Sequence, residues 1–189
     1  MSTKTLITAE EFAQMETAEN ESYELVDGEL IPLPSAIPLH GLIRDRLVQS
    51  VRNYFDRNPI GGTASETDCR ITSDNVRKPD LLVFLGERWL QLDLYRVPVP
   101  FAPDIAVEVL SPSEHAMDVT RKVRDYLSAG SQEVWLLDHD NGELHIRTKA
   151  GIRLLEGNDA LTSPLLPGFS VSVAELLVAE PVPLLATAR

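Results

Sequence analysis

Three stretches of the chain carry almost no polar position: Leu81-Leu82-Val83-Phe84-Leu85, Ile105-Ala106-Val107-Glu108-Val109-Leu110 and Val134-Trp135-Leu136-Leu137. Short apolar runs without alternation predict strands buried on both faces, and so a central sheet covered on either side. Two helices are expected to cover it. Leu39, Ile43, Leu47, Val51, Tyr54 and Phe55 recur every three to four residues from about His40, with Arg44, Arg46, Arg52 and Arg57 mostly off that stripe, until Asn58-Pro59 and Gly61-Gly62 stop it. A second stripe, Val119, Val123, Tyr126 and Leu127, follows Ser111-Pro112-Ser113 and ends before Gly130, where a left-handed residue is expected.

The flanking segments change period. Thr8-Ala9-Glu10-Glu11 has capping-box spacing and predicts an N-terminal helix over 8–18. Asp27-Gly28 between Tyr23, Leu25, Leu30 and Leu33 predicts a β-hairpin over 22–34. Further strands are expected at 63–72, at 143–148 after the Asn141-Gly142 turn, and at 151–155. The order predicts an α/β fold with a central mixed sheet flanked by helices. One domain over 1–189 is expected, with its core at about 8–175 and a loosely held tail at 176–189.

Composition narrows the functional classes. With 189 residues, 43% hydrophobic and 24% charged, the chain is sized for one core. A formal charge of -12, from 29 acidic against 17 basic residues, repels nucleic acid and anionic membranes over the surface as a whole. Local basic sets remain, Arg70, Arg77 and Lys78 or Arg121, Lys122 and Arg124, and a divalent cation would offset nearby carboxylates. The lone Cys69 fits a reducing compartment, and no segment has signal-peptide or membrane-span character, so a cytoplasmic protein with no membrane partner is expected.

Against this background Glu108 stands out, a carboxylate inside an aliphatic strand. Buried without a partner it would cost several kcal/mol, on the order of 3 or more, so it must be paired, protonated or bound to a cation. Alternation puts Glu108 and Ala106 on one face, Val107 and Val109 on the other. Asp80, immediately before the 81–85 run, can bring a second carboxylate if the two segments are sheet neighbours. Two such oxygens with a main-chain carbonyl suit Mg²⁺ or Mn²⁺ completed by water. A hydrolytic cation also needs a group that orients the attacking water or holds transition-state charge, often a lysine.

The spaced set Arg77-Lys78-Pro79-Asp80, Pro103 to Pro112, Asp118, Lys122, Tyr126, Gly130 and Trp135 closely resembles the Uma2 family, formerly a domain of unknown function, within the PD-(D/E)XK nuclease superfamily. The resemblance covers about residues 8–175. It implies a restriction endonuclease-like core, preceded here by the N-terminal helix and hairpin, with a metal site that cleaves phosphodiesters. Asp80 takes the place of the first acid and Glu108 that of the second. Two residues after Glu108, where the superfamily has lysine, stands Leu110; Lys122 is the replacement, at the edge of its helix stripe with a stem long enough to reach the sheet.

The resulting expectation is a Mg²⁺- or Mn²⁺-dependent endodeoxyribonuclease, with Asp80 and Glu108 as metal ligands, Lys122 catalytic, basic residues of both helices on DNA phosphates, and a homodimer for cutting two strands. The alternative is a catalytically inactive nucleic-acid- or protein-binding module whose acids and Lys122 close into a salt-bridge cluster. Lesser readings accompany these: Asp104 as a misassigned ligand, His40 as a capping or solvated residue, His115 and Asp118 as a weak metal pair, residues 138–143 as a hairpin turn, and Glu24 and Glu29 as solvated hairpin charges. No glycine-rich phosphate loop, serine elbow or zinc quartet is present in the sequence.

Overall fold

The computed structural model describes residues 6–17, 21–112 and 114–178. The chain opens with helix α1 (Ala9–Phe12), whose capping box is formed as the spacing predicts, Thr8 and Glu11 exchanging hydrogen bonds, though the helix is one turn long. The hairpin β1 (Tyr23–Val26) and β2 (Glu29–Pro32) turns at Asp27-Gly28, both with positive φ, 50° and 78°, the type I′ geometry that Asp-Gly favours. Helix α2 (Pro38–Phe55) follows, then β3 (Gly61–Ser65), β4 (Cys69–Arg70), β5 (Val76–Arg77), β6 (Leu81–Leu85), the short α3 (Gly86–Leu90) and β7 (Ile105–Val109). Helix α4 (Ala116–Ser128), β8 (Glu133–Asp138), β9 (Glu143–Thr148), β10 (Gly151–Glu156), β11 (Ala160–Ser163), β12 (Leu166–Ser172) and α5 (Val173–Leu177) complete it.

Six strands form the central sheet in the order β10-β9-β8-β7-β6-β3, antiparallel except for the parallel β7–β8 pair, so the sheet is mixed as expected. The crossover between β7 and β8 is α4, the helical connection a parallel pair requires. Side-chain alternation divides the core. Val107 and Val109, with Leu81, Val83, Trp135 and Leu137, face α2, whose Ile43, Leu47, Val51 and Phe55 fill that layer. Ala106, Leu82, Phe84, Val134 and Leu136 face Val123 and Tyr126 of α4. A smaller sheet, β2-β1-β5-β4, carries the hairpin beside this core.

Three expectations need correction. The single strand predicted over 63–72 is two strands, because Glu66 adopts φ 47° and the chain leaves the β3 line there. The 8–18 helix ends at Phe12. At the C-terminal end Leu176 of α5 is buried, so ordered packing continues past residue 175; the tail from residue 179 lies outside the described residues.

Candidate active site

The pairing of β6 with β7 brings the two acids together. Leu81 stands opposite Val107, so Asp80, one residue before β6, lies beside the end of β7 that carries Glu108. Its Oδ2 accepts the Val109 backbone N–H at 2.7 Å, which fixes the carboxylate against the strand. Its Oδ1 lies 2.6 Å from His40 Nε2, presented by the first turn of α2.

Glu108 emerges on the α4 side of the sheet and is buried. Oε1 accepts the Tyr126 hydroxyl at 2.7 Å and Oε2 the Lys122 ammonium at 3.1 Å. Lys122 and Tyr126 are four residues apart on α4, hence on one face, so a single helix turn delivers both donors. The ammonium also reaches Glu114 Oε1 at 3.0 Å, and Glu114 Oε2 accepts the Ser111 N–H at 3.0 Å. His40, Asp80, Glu108, Glu114 and Lys122 line one cavity of about 540 Å³.

Burial pushes the Glu108 pKa up to about 7; the charges of Asp80 and Glu24 add to it, against the attraction of Lys122 and the Tyr126 hydrogen bond. Burial alone would depress Lys122, but the charges of Glu108, Glu24 and Glu114 outweigh it and hold the ammonium well above the ordinary lysine range. Burial and the Glu108 charge raise Tyr126 well above its usual value. The hydrogen bond to Asp80 raises His40, more than burial lowers it. Lys122 and Tyr126 therefore keep their protons, whereas burial brings Glu108 into the neutral range.

Asp80 and Glu108 offer hard oxygens to the same cavity, and their mutual repulsion is what a divalent cation would relieve. Each carboxylate oxygen retains acceptor capacity beyond its single strong hydrogen bond. Among the described residues no three His, Cys, Asp or Glu side chains group as a metal-binding set. Two carboxylates on one cavity are the hard-oxygen donors a divalent cation would take, with water and phosphate completing its shell.

The remaining candidates fall elsewhere. Asp104 sits at the opposite end of β7, where Oδ2 accepts the Leu85 N–H at 2.8 Å and Oδ1 a Gln132 side-chain N–H at 3.2 Å; it fastens strands and does not line the cavity. His115 is the N-cap residue of α4, and Asp118 pairs with Arg121 at 3.5 Å. Asp138 accepts both N–H groups of Asn141, at 3.1 and 2.8 Å, which makes 138–143 the expected hairpin turn. Lys122 pairs with the two glutamates, Glu108 and Glu114.

Three charged groups behave differently from expectation. His40 neither caps α2 nor faces water; α2 starts at Pro38, and the imidazole is drawn to Asp80. Glu24 is not a solvated hairpin charge: it is 2% exposed, bonded to Arg77 at 2.8 Å and to the Lys78 N–H at 2.9 Å. Arg77 also donates to Asp125 at 2.6 Å, so it is a buried structural cation and no part of a basic surface. The helix arginines are engaged too: Arg44 with Asp45 and Glu66, Arg46 with the Leu176 and Val178 carbonyls, Arg121 with Asp27 and Asp118, and Arg124 with Asp125. Glu24 shares its face of β1 with Val26, in a strand whose last three residues are all buried.

A mixed sheet flanked by helices, with acids at adjacent strand ends, is the architecture of a restriction endonuclease-like α/β protein. The crystal structure of a putative nuclease belonging to DUF820 from Anabaena variabilis superposes with a TM-score of 0.79 and 23% identity, over 90% of this chain and 97% of that one. The sequence matches the Uma2 family, described as "Putative restriction endonuclease", over residues 9–174. The chain belongs to the Uma2 family, and family and fold are nuclease-like. No curated protein matches it. No helix among the described residues is long and apolar enough to cross a membrane.

Proposed function

We propose that the protein is a metal-dependent endonuclease that hydrolyses phosphodiester bonds in DNA, with Asp80 and Glu108 holding Mg²⁺ or Mn²⁺ and Lys122 as the catalytic cation. The observation that carries this reading is the convergence of both carboxylates and the Lys122 ammonium on one cavity from three different elements. When bound, the cation supplies Lewis-acid polarisation of the phosphoryl group and a water of lowered pKa. Tyr126 and Lys122 orient Glu108 through its two oxygens, and the Val109 N–H orients Asp80. Lys122, protonated throughout, stabilises negative charge that grows on the phosphoryl oxygens. His40 Nε2, 2.6 Å from Asp80 Oδ1, holds the other oxygen of that carboxylate in place.

A specific contact favours the alternative, an inactive binding module: Lys122 is already bonded to Glu108 and to Glu114, as a closed ion-pair cluster would be. Isothermal titration of Mn²⁺ into the wild type and Glu108→Gln separates the two. Binding by the wild type that the variant loses, together with Mn²⁺-dependent cleavage of DNA, supports the enzyme. No binding by either protein supports the module.

A further inference from the structure

We infer that the cavity takes a single unpaired nucleotide unit, so that the substrate class is single-stranded DNA or a frayed strand end, not intact duplex; this rests on the phosphodiesterase reading above. Size is the first ground. About 540 Å³ lies within the roughly 300–1,000 Å³ of pockets that enclose a small organic molecule, more than a phosphate and a hydrated cation need.

The walls are the second ground. Besides its polar residues the cavity is lined by Leu33, Pro34, Ala36 and Ile37, between β2 and α2, and by Leu110 and Pro112, beyond β7. With the scissile phosphate at Asp80 and Glu108, the adjoining nucleoside lies against these aliphatic and proline surfaces. They suit the flat, weakly hydrated face of a base. A base in duplex is stacked on its neighbours and reaches such a pocket only after leaving the stack, at a cost of a few kcal/mol, on the order of 3.

Charge is the third. Lys78 and Lys122 are the lysines lining the cavity, and both are engaged, Lys78 with Ser22 Oγ at 2.8 Å and Asp68 at 3.5 Å, Lys122 with two glutamates. Glu66 and Glu114 also line it, and Arg44 nearby is held by Asp45 and Glu66. A duplex-binding protein typically neutralises about 6–10 phosphates with available cations. The surroundings of this cavity, on a chain of charge -12, supply no such track among the described residues. One or two phosphates held by a bound divalent cation need none. The reaction requires only water: its oxygen forms the new bond to phosphorus, one bridging P–O bond breaks, and the protons pass to the leaving hydroxyl and to solvent.

The test compares three substrates with the full chain and Mn²⁺: a single-stranded oligonucleotide, the blunt duplex of the same sequence, and bis(4-nitrophenyl) phosphate. The expected result is cleavage of the single strand and the small diester, with the duplex slower by about tenfold or more. Ile37→Asp is then expected to raise KM for the oligonucleotide severalfold. Ile37 is exposed and stands at the N-cap of α2, where aspartate is favoured, so the variant folds. Duplex cleaved as fast as the single strand, or an unchanged KM in the variant, overturns the inference and leaves the nuclease reading standing. Failure to cleave any of the three, the small diester included, overturns both.

Discussion

Pro79-Asp80 and Pro103-Asp104 stand at the starts of adjacent antiparallel strands, and the fold treats them almost as mirror positions. Asp80 Oδ2 accepts the Val109 N–H at the far end of β7; Asp104 Oδ2 accepts the Leu85 N–H at the far end of β6. Each is thus a strand clamp. They differ in the second oxygen. Asp104 Oδ1 is satisfied by Gln132 with Arg88 3.6 Å away, whereas Asp80 Oδ1 meets His40 beside a cavity that holds a second carboxylate. A dipeptide does not define the site; the cavity and the neighbouring acid do.

The sharpest way to break this comparison is to neutralise each aspartate. Asp80→Asn keeps an oxygen for the Val109 N–H, so the fold is expected to survive while Mn²⁺-dependent cleavage falls by about 10²–10³ and Mn²⁺ binding is lost in calorimetry. Asp104→Asn is expected to leave Mn²⁺ binding intact and to lower stability by about 1–2 kcal/mol in denaturant titration. If the two variants exchange these behaviours, the assignment of ends is reversed.

Lys122→Met comes next in size. It leaves Glu108 and Glu114 without their shared cation, and a loss of about 3 kcal/mol is expected well above pH 7, measured by urea unfolding. The loss shrinks at lower pH, because Glu108 then takes up a proton.

The pH dependence of Glu108 itself supplies a smaller effect. Its folded pKa, about 7, lies above the ordinary 4.5, so the folded state binds the proton more tightly than the unfolded chain. Stability from this group is full below pH 4.5 and is lost as pH rises through about 7. Relative to the wild type, Glu108→Gln should therefore lose less stability as pH rises across that window, read as a flatter pH dependence of urea midpoints measured at several pH values. The smallest effect belongs to Tyr126→Phe, which removes the donor to Oε1: about 1–2 kcal/mol of stability and a further rise in the Glu108 pKa, read from the acid limb of the pH–rate profile.

The central strands and the two long helices were readable because each is long, strongly apolar on the faces it buries and bounded by proline, glycine or a cap. Glu108 was readable for the opposite reason, as a charge where burial forbids one; Asp80 followed as the acid before the neighbouring strand, and the spaced resemblance pointed to Lys122. What was hidden depended on partners distant in sequence. β5 is two residues long and exists by pairing with β1 and β4. β12 contains Pro167 and Gly168, which argue against a strand, yet it pairs on one side with β11 alone and tolerates them. α3 and α5 are each five residues, too short for periodicity to show. Glu24 and Arg77 lie 53 positions apart, so neither could announce that it neutralises the other inside the protein. His40 looked like a helix-start residue until the sheet placed Asp80 beside it.

Lys122 rides on α4, and α4 rests on the sheet through Val123 and Tyr126. The gap between ammonium and carboxylate is consequently set by the bulk of aliphatic groups beneath the helix. Such a centre is tuned by volume: exchanging Val123 for a larger or smaller neighbour would raise or lower the helix and change how firmly the strand acid is held, with every polar member of the site left in place. A lysine mounted on the strand itself would have no such adjustment.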